Sequence, residues 1–151
     1  MVDYTALAVE FLGKTQLIMK DKLNKFIDEA VQGEGFVLQY ISLHNGCVFP
    51  GEIGHAMSVS TARIATVLNS LEKKGLITRQ IDASDRRKIL VKITPEGKLL
   101  AAKNCRNAVD VLEKRFVLLG ERDAKEYVRI VGRLVEIILN VPQDVAVDNA
   151  V

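Results

Sequence analysis

Eight cations crowd the middle of this chain: Arg63, Lys73, Lys74, Arg79, Arg86, Arg87, Lys88 and Lys92 fall between positions 36 and 95, where only four acids oppose them. The whole chain carries 21 Lys and Arg against 19 Asp and Glu, a net charge of +2, so the middle is +4 and the flanks sum to −2. Clustered guanidinium and ammonium groups bind phosphate oxygens, and a phosphate-binding surface needs them in short segments. A solvated charged face would have the same composition, so the elements that carry these cations decide the reading.

Other chemistries find little support. His44 and His55 have no carboxylate at ligand spacing, and Cys47 and Cys105 form no Cys-x-x-Cys pair, so neither a metal site nor a cofactor is expected. There is no Gly-x-Ser-x-Gly elbow and no Gly-x-x-x-x-Gly-Lys phosphate loop, so the chain does not read as an enzyme. No apolar run is long enough to span a membrane, and Asp3 stands where a signal peptide would be positive. A cytoplasmic protein with reduced thiols is expected, and 151 residues suffice for one domain with a core.

The elements that must position the cations follow from periodicity. Apolar residues from Tyr4 to Ala30 recur at helical spacing and predict one long first helix, broken by Gly33 and Gly35. Short helices are predicted over Phe36 to Leu43, ending in the turn His44-Asn45-Gly46, and from Pro50 to about Met57. Ser60 can cap the next helix, to Lys74, whose buried stripe is Ile64, Val67, Leu68 and Leu71. Its opposite face presents Ala62, Ala65, Thr66, Asn69 and Lys73, with Thr61 and Arg63 at the exposed N-terminal end. Leu76–Ile81 and Lys88–Ile93 read as two strands joined by the polar turn Asp82–Arg87, with Ile89, Val91 and Ile93 on the core side. Thr94-Pro95-Glu96 opens a fifth helix with the seam Ala102, Cys105, Val109, Leu112, Phe116 and Leu119. Gly120 interrupts, and a sixth helix runs on through Tyr127, Val131, Leu134 and Ile138 to a stop at Val141-Pro142. The fold class expected is mainly α with a small β-wing, and Cys105 on the seam is expected to be a small buried hydrophobe.

Two short helices with a tight turn, the second small and polar on its outer face, followed at once by a basic hairpin, form the order a winged helix-turn-helix uses on DNA. Small residues such as Ala62 and Ala65 let the helix backbone approach the bases, while Thr61, Arg63, Thr66 and Asn69 offer hydrogen bonds in the major groove. Arg79, Arg86, Arg87 and Lys88 would meet phosphates, one arginine entering the minor groove. The rival class is a winged-helix protein-interaction module without specific DNA binding.

The stretch from Leu76 to Gly97 resembles the wing of the multiple-antibiotic-resistance-type (MarR) regulators: Asp85 and Arg87 fill an Asp-x-Arg pattern, and Ile93, Thr94 and Gly97 the following hydrophobic-Thr-x-x-Gly. Leu71-Glu72-Lys73-Lys74-Gly75-Leu76-Ile77 is similar to that family's recognition-helix exit. The resemblance implies a transcription regulator, by default a repressor, binding a pseudo-palindromic operator as a homodimer. It divides residues 1–151 into a DNA-binding lobe at 36–95, dimerisation helices at 1–32 and 96–141, and a tail at 142–151. It implies DNA-contacting roles for Ser60, Thr61, Ala62, Arg63, Thr66, Asn69 and Lys73 on the helix and for Arg79, Asp85, Arg86, Arg87 and Lys88 on the wing. Arg87 becomes the wing-tip arginine, and Asp85 holds the wing's shape. Many members carry arginine at the position of Thr66, so the operator sequence does not transfer. The resemblance also implies release by a small aromatic or phenolic effector, or by cysteine oxidation, although the N-terminal helix has no cysteine. The apolar seams point independently to self-association, because a small winged lobe cannot cover three extra helices.

Overall fold

Apolar residues at i, i+4, i+7 on one helix need partners, and Ile64, Leu68 and Leu71 find them in Val37, Leu38 and Ile41 of another. The computed structural model describes residues 2–140. The order is α1 (Tyr4–Met19), α2 (Asn24–Val31), α3 (Gly33–Leu43), β1 (Cys47–Val48), α4 (Pro50–Met57), α5 (Thr61–Lys73), β2 (Ile77–Ile81), β3 (Ile89–Ile93), α6 (Pro95–Leu119) and α7 (Glu121–Asn140). The expected class, mainly helical with a small wing, is what forms. The chain divides into two compact units, Met1–Val111 and Leu112–Val151.

The core of the first unit joins Val37, Leu38 and Ile41 of α3, Ile53 of α4, the α5 stripe, and Val48, Ile77, Val91 and Ile93 of the sheet, with Ala101 of α6. Fully burying one such side chain is worth about 1.5–3 kcal/mol, so this cluster holds α5 and the sheet in fixed relation. The antiparallel sheet runs β1-β3-β2. In the β2–β3 hairpin Ile77 faces Ile93, Arg79 faces Val91 and Ile81 faces Ile89.

The first helix departs from expectation. It breaks after Met19 because the Asp21 carboxylate accepts the Leu23 amide at 3.1 Å, a local turn that competes with helical bonding. Among the described residues seven helices therefore form, where six were expected. Helix α3 starts at Gly33, not Phe36, and a Cβ on Gly35 would meet the Glu29 carbonyl oxygen at 1.8 Å, so glycine there lets α3 close on α2. Strand β1 was not expected; two residues carry no alternation to read. The stop at Val141-Pro142 and the tail lie outside the described residues.

Both helices of the helix-turn-helix end in the same way. After α4 the Val59 amide donates to the Gly54 carbonyl and the Ser58 amide to that of His55, with Ser58 at φ +52. After α5 the Leu76 amide donates to Leu71 and the Gly75 amide to Glu72, with Gly75 at φ +71. Each is a Schellman closure around one left-handed residue. In the second unit the Phe116 and Tyr127 rings tilt against each other at 6.1 Å.

Candidate nucleic-acid interface

Ser60 caps α5, its hydroxyl accepting the Arg63 amide at 3.3 Å. With Ile64, Leu68 and Leu71 buried, the helix must turn Thr61, Ala62, Arg63, Ala65, Thr66, Asn69 and Lys73 outward, and all seven are exposed. The sequence-predicted helix set therefore shares one open face. Thr66 donates its hydroxyl to the Ala62 carbonyl at 3.0 Å, so its oxygen is left to accept. The Arg63 guanidinium makes no hydrogen bond or ion pair among the described residues.

The wing is shaped by its own acids. Asp82 Oδ1 accepts the Ser84 amide at 2.7 Å, the Asp85 amide at 2.9 Å and the Ser84 hydroxyl. These bonds, the Ser84 hydroxyl first and the Asp85 and Ser84 amides next, hold the Asp82 carboxyl below the usual carboxylate range. Asp85 Oδ1 accepts both the amide and Nε of Arg87 at 3.1 Å, and the Arg87 side chain plus its amide lower the Asp85 carboxyl likewise. The Arg87 side chain is nevertheless 90% exposed. A tip arginine aimed by an acid two residues earlier, which takes its Nε and Nη2 while the side chain stays open to solvent, is suited to a narrow anionic groove. Arg86 and Lys88 are also exposed, Lys88 lying over the Phe49 ring at 5.6 Å.

Arg79 is placed differently. Strand alternation puts it on the face of Ile77 and opposite Val91, turned toward α5, where Nη1 donates to Asn69 Oδ1 at 2.8 Å and to Glu72 Oε2 at 3.0 Å. Sequence reasoning missed Glu72, and likewise Phe49 beneath Lys88. Lys74, counted among the middle cations, pairs with Glu34 at 2.6 Å.

The hydrophobic-Thr-x-x-Gly pattern has a structural explanation. Thr94 donates its hydroxyl to the Gly75 carbonyl at 2.8 Å and accepts the Gly97 amide at 3.1 Å, while its own amide donates to the Leu76 carbonyl. A Cβ on Gly97 would stand 2.1 Å from the Leu76 oxygen. The motif thus clamps the start of α6 onto the exit of α5.

Cys105 is exposed rather than buried: among the described residues its stretch of the seam lies open, beside Lys98 and Arg106. Cys47 is half-buried in β1. His44 stacks on Tyr40 at 4.0 Å, its Nδ1 2.7 Å from the Tyr40 carbonyl, in the turn role expected of it. A cavity of about 500 Å³ lies among Asp28, Glu34, Leu38, Arg63, Leu100 and Asn104.

Residues 32–89 match the MarR family model. The HTH-type transcriptional regulator YwhA of Bacillus subtilis is 26% identical over 121 residues, 76% of this chain and 86% of that protein. Among solved structures, YusO of Bacillus subtilis superposes with a TM-score of 0.67 at 21% identity, covering 90% of this chain and 99% of its own. AbsC, a MarR family transcriptional regulator from Streptomyces coelicolor, gives 0.68 at 18% identity, covering 93% and 98%.

Proposed function

We propose that this chain, a member of the MarR family of winged-helix transcription regulators and not an enzyme, is a repressor that binds a pseudo-palindromic operator in double-stranded DNA as a homodimer. The single observation that supports the reading best is the shared open face of α5 beside an exposed, acid-aimed Arg87. Ser60, Thr61, Ala62, Arg63, Thr66, Asn69 and Lys73 enter the major groove, while Arg86, Arg87 and Lys88 engage the backbone and minor groove, Asp85 holding the tip. Arg79 keeps Nε and Nη2 for a phosphate at the base of the wing.

Self-association is supported by uncovered apolar residues in both units. Helix α1 leaves Leu7, Phe11 and Leu12 more than half exposed, and α7 leaves Tyr127, Val131, Leu134 and Ile138 between 42% and 70% exposed. Rows of this size on a monomer mark an interface, and a second copy supplies the matching rows. No helix among the described residues is long and apolar enough to cross a membrane. We place the protein in the cytoplasm and assign a small aromatic or phenolic effector to the cavity beside Arg63, where a ligand would hold that side chain off the DNA.

Selection of bound sequences from a random duplex pool tests this reading. The expected result is two inverted half-sites about one helical turn apart, with affinity falling steeply with salt. No enrichment, or binding insensitive to salt, would overturn it in favour of a protein-interaction module.

A further inference from the structure

The contact between Arg79, Asn69 and Glu72 constrains more than the wing. Arginine has donors only, so the Asn69 atom that meets Arg79 Nη1 at 2.8 Å is the carbonyl oxygen, and the Nδ2 donors are the amide's other end. Among the described residues nothing accepts from Nδ2. Glu72, one turn further along α5, takes the second Nη1 hydrogen at 3.0 Å and keeps the guanidinium from swinging away. The Arg79 side chain is 26% exposed, against 90% for Arg87, so the two wing arginines hold different stations.

An asparagine reading adenine does so bidentately, accepting from N6 with its oxygen and donating to N7 with its amide nitrogen. With its oxygen turned toward the wing, Asn69 keeps the donating half of that code. We infer that Arg79 is a positioning residue that sets what Asn69 reads: with the amide oxygen held toward the wing, the Nδ2 donors do the reading and favour the acceptor edges of guanine (O6, N7) or thymine (O4) over bidentate adenine. The inference rests on the DNA-binding reading and adds a preference at one operator position. It also gives Glu72, an acid on a DNA-facing helix, a task that offsets its repulsion of phosphate: it anchors the arginine.

Selection with wild type, Asn69→Ala, Arg79→Met and Glu72→Gln tests it, alongside a thermal double-mutant cycle of Arg79→Met with Glu72→Gln in the absence of DNA. The position whose preference Asn69→Ala erases should favour guanine or thymine in wild type and move toward adenine in Arg79→Met. Glu72→Gln should weaken specific binding by about threefold to tenfold although it removes a negative charge; an anchor's loss has that sign, the loss of mere repulsion the opposite. The cycle should show coupling of about twofold to fivefold in the folding equilibrium constant, the range of partly exposed pairs. An adenine preference already present in wild type, an unchanged preference in Arg79→Met, no position responding to Asn69→Ala, or tighter binding by Glu72→Gln would each overturn the inference. If wild type enriches no sequence, the regulator reading fails, and the DNA-reading role of Arg79 fails with it; the cycle then reports only whether the strut exists. Absent coupling overturns the strut directly.

Discussion

Replacing Arg87 by alanine separates binding from folding, because the structure gives that side chain almost nothing to do in the free protein. It is 90% exposed, and its partner is Asp85, two residues away, through Nε at 3.1 Å. An exposed pair of this kind is worth about 0–1 kcal/mol, so the melting temperature should move by no more than about 4 °C. In a narrow groove the same fork makes charge-assisted hydrogen bonds worth about 1.5–3 kcal/mol, less the pairing with Asp85 that it loosens. The net is about 1–2 kcal/mol per wing, and about 2–4 kcal/mol for a dimer inserting both, which is roughly 30-fold to 1,000-fold in Kd. If both arginines displace counterions, the slope of log affinity against log salt should fall by about 1.8. Fluorescence anisotropy on a selected operator over a salt series measures both quantities, and calorimetry supplies the melting temperature. Arg87→Lys keeps the charge and loses the fork, so it should lie between alanine and wild type. Alanine binding within twofold of wild type at every salt concentration would refute the placement of Arg87 in the groove.

Three further outcomes are expected. Gly97→Ala puts a methyl 2.1 Å from the Leu76 oxygen and 2.8 Å from Ile93 Cγ1, an overpacking that should cost about 1–3 kcal/mol and lower the melting temperature by about 2–12 °C; an unchanged calorimetric melt would show that the α6 seat is loose. Leu134→Glu, at a side chain 52% exposed in the single chain, should leave the secondary structure intact and shift sedimentation toward monomer; an undiminished dimer would remove α7 from the interface. Because the Asp82 carboxyl is depressed in the folded wing, its contribution is complete above the ordinary carboxylate range and disappears as pH falls through the depressed value. An NMR titration should therefore find the Ser84 and Asp85 amides unmoved until pH drops below that range, whereas a midpoint above it would contradict the turn.

Much of this was legible before any coordinates. The α5 stripe, the Ser60 cap, the Pro50 start and the Gly120 break all sit where periodicity and capping chemistry put them, because each depends on residues within one turn of itself. The failures share a different character. The break after Met19 turns on one carboxylate choosing a local amide over helical continuation, against an apolar pattern that runs straight through it. Strand β1 exists only because β3 pairs with it, Cys47 to Lys92 and Val48 to Val91. The exposure of Cys105 depends on what covers a seam, which a single chain does not specify.

Arg79 shows how far alternation alone could have gone. Placing Ile89, Val91 and Ile93 on the core side commits their partners Ile81, Arg79 and Ile77 to the same side, since facing residues of an antiparallel pair share a face. A cation on that side, at the strand next to the exit of α5, must either be buried unpaired or find an acid on the helix. Glu72 and Asn69 lie three and six residues before Gly75, on consecutive turns of the same helical face. The pairing was therefore recoverable from parity and helical spacing together. What obscured it was that all eight middle cations looked alike as charge, when the sheet had already turned Arg79 toward an acid on α5 and left Arg86, Arg87 and Lys88 exposed on the wing.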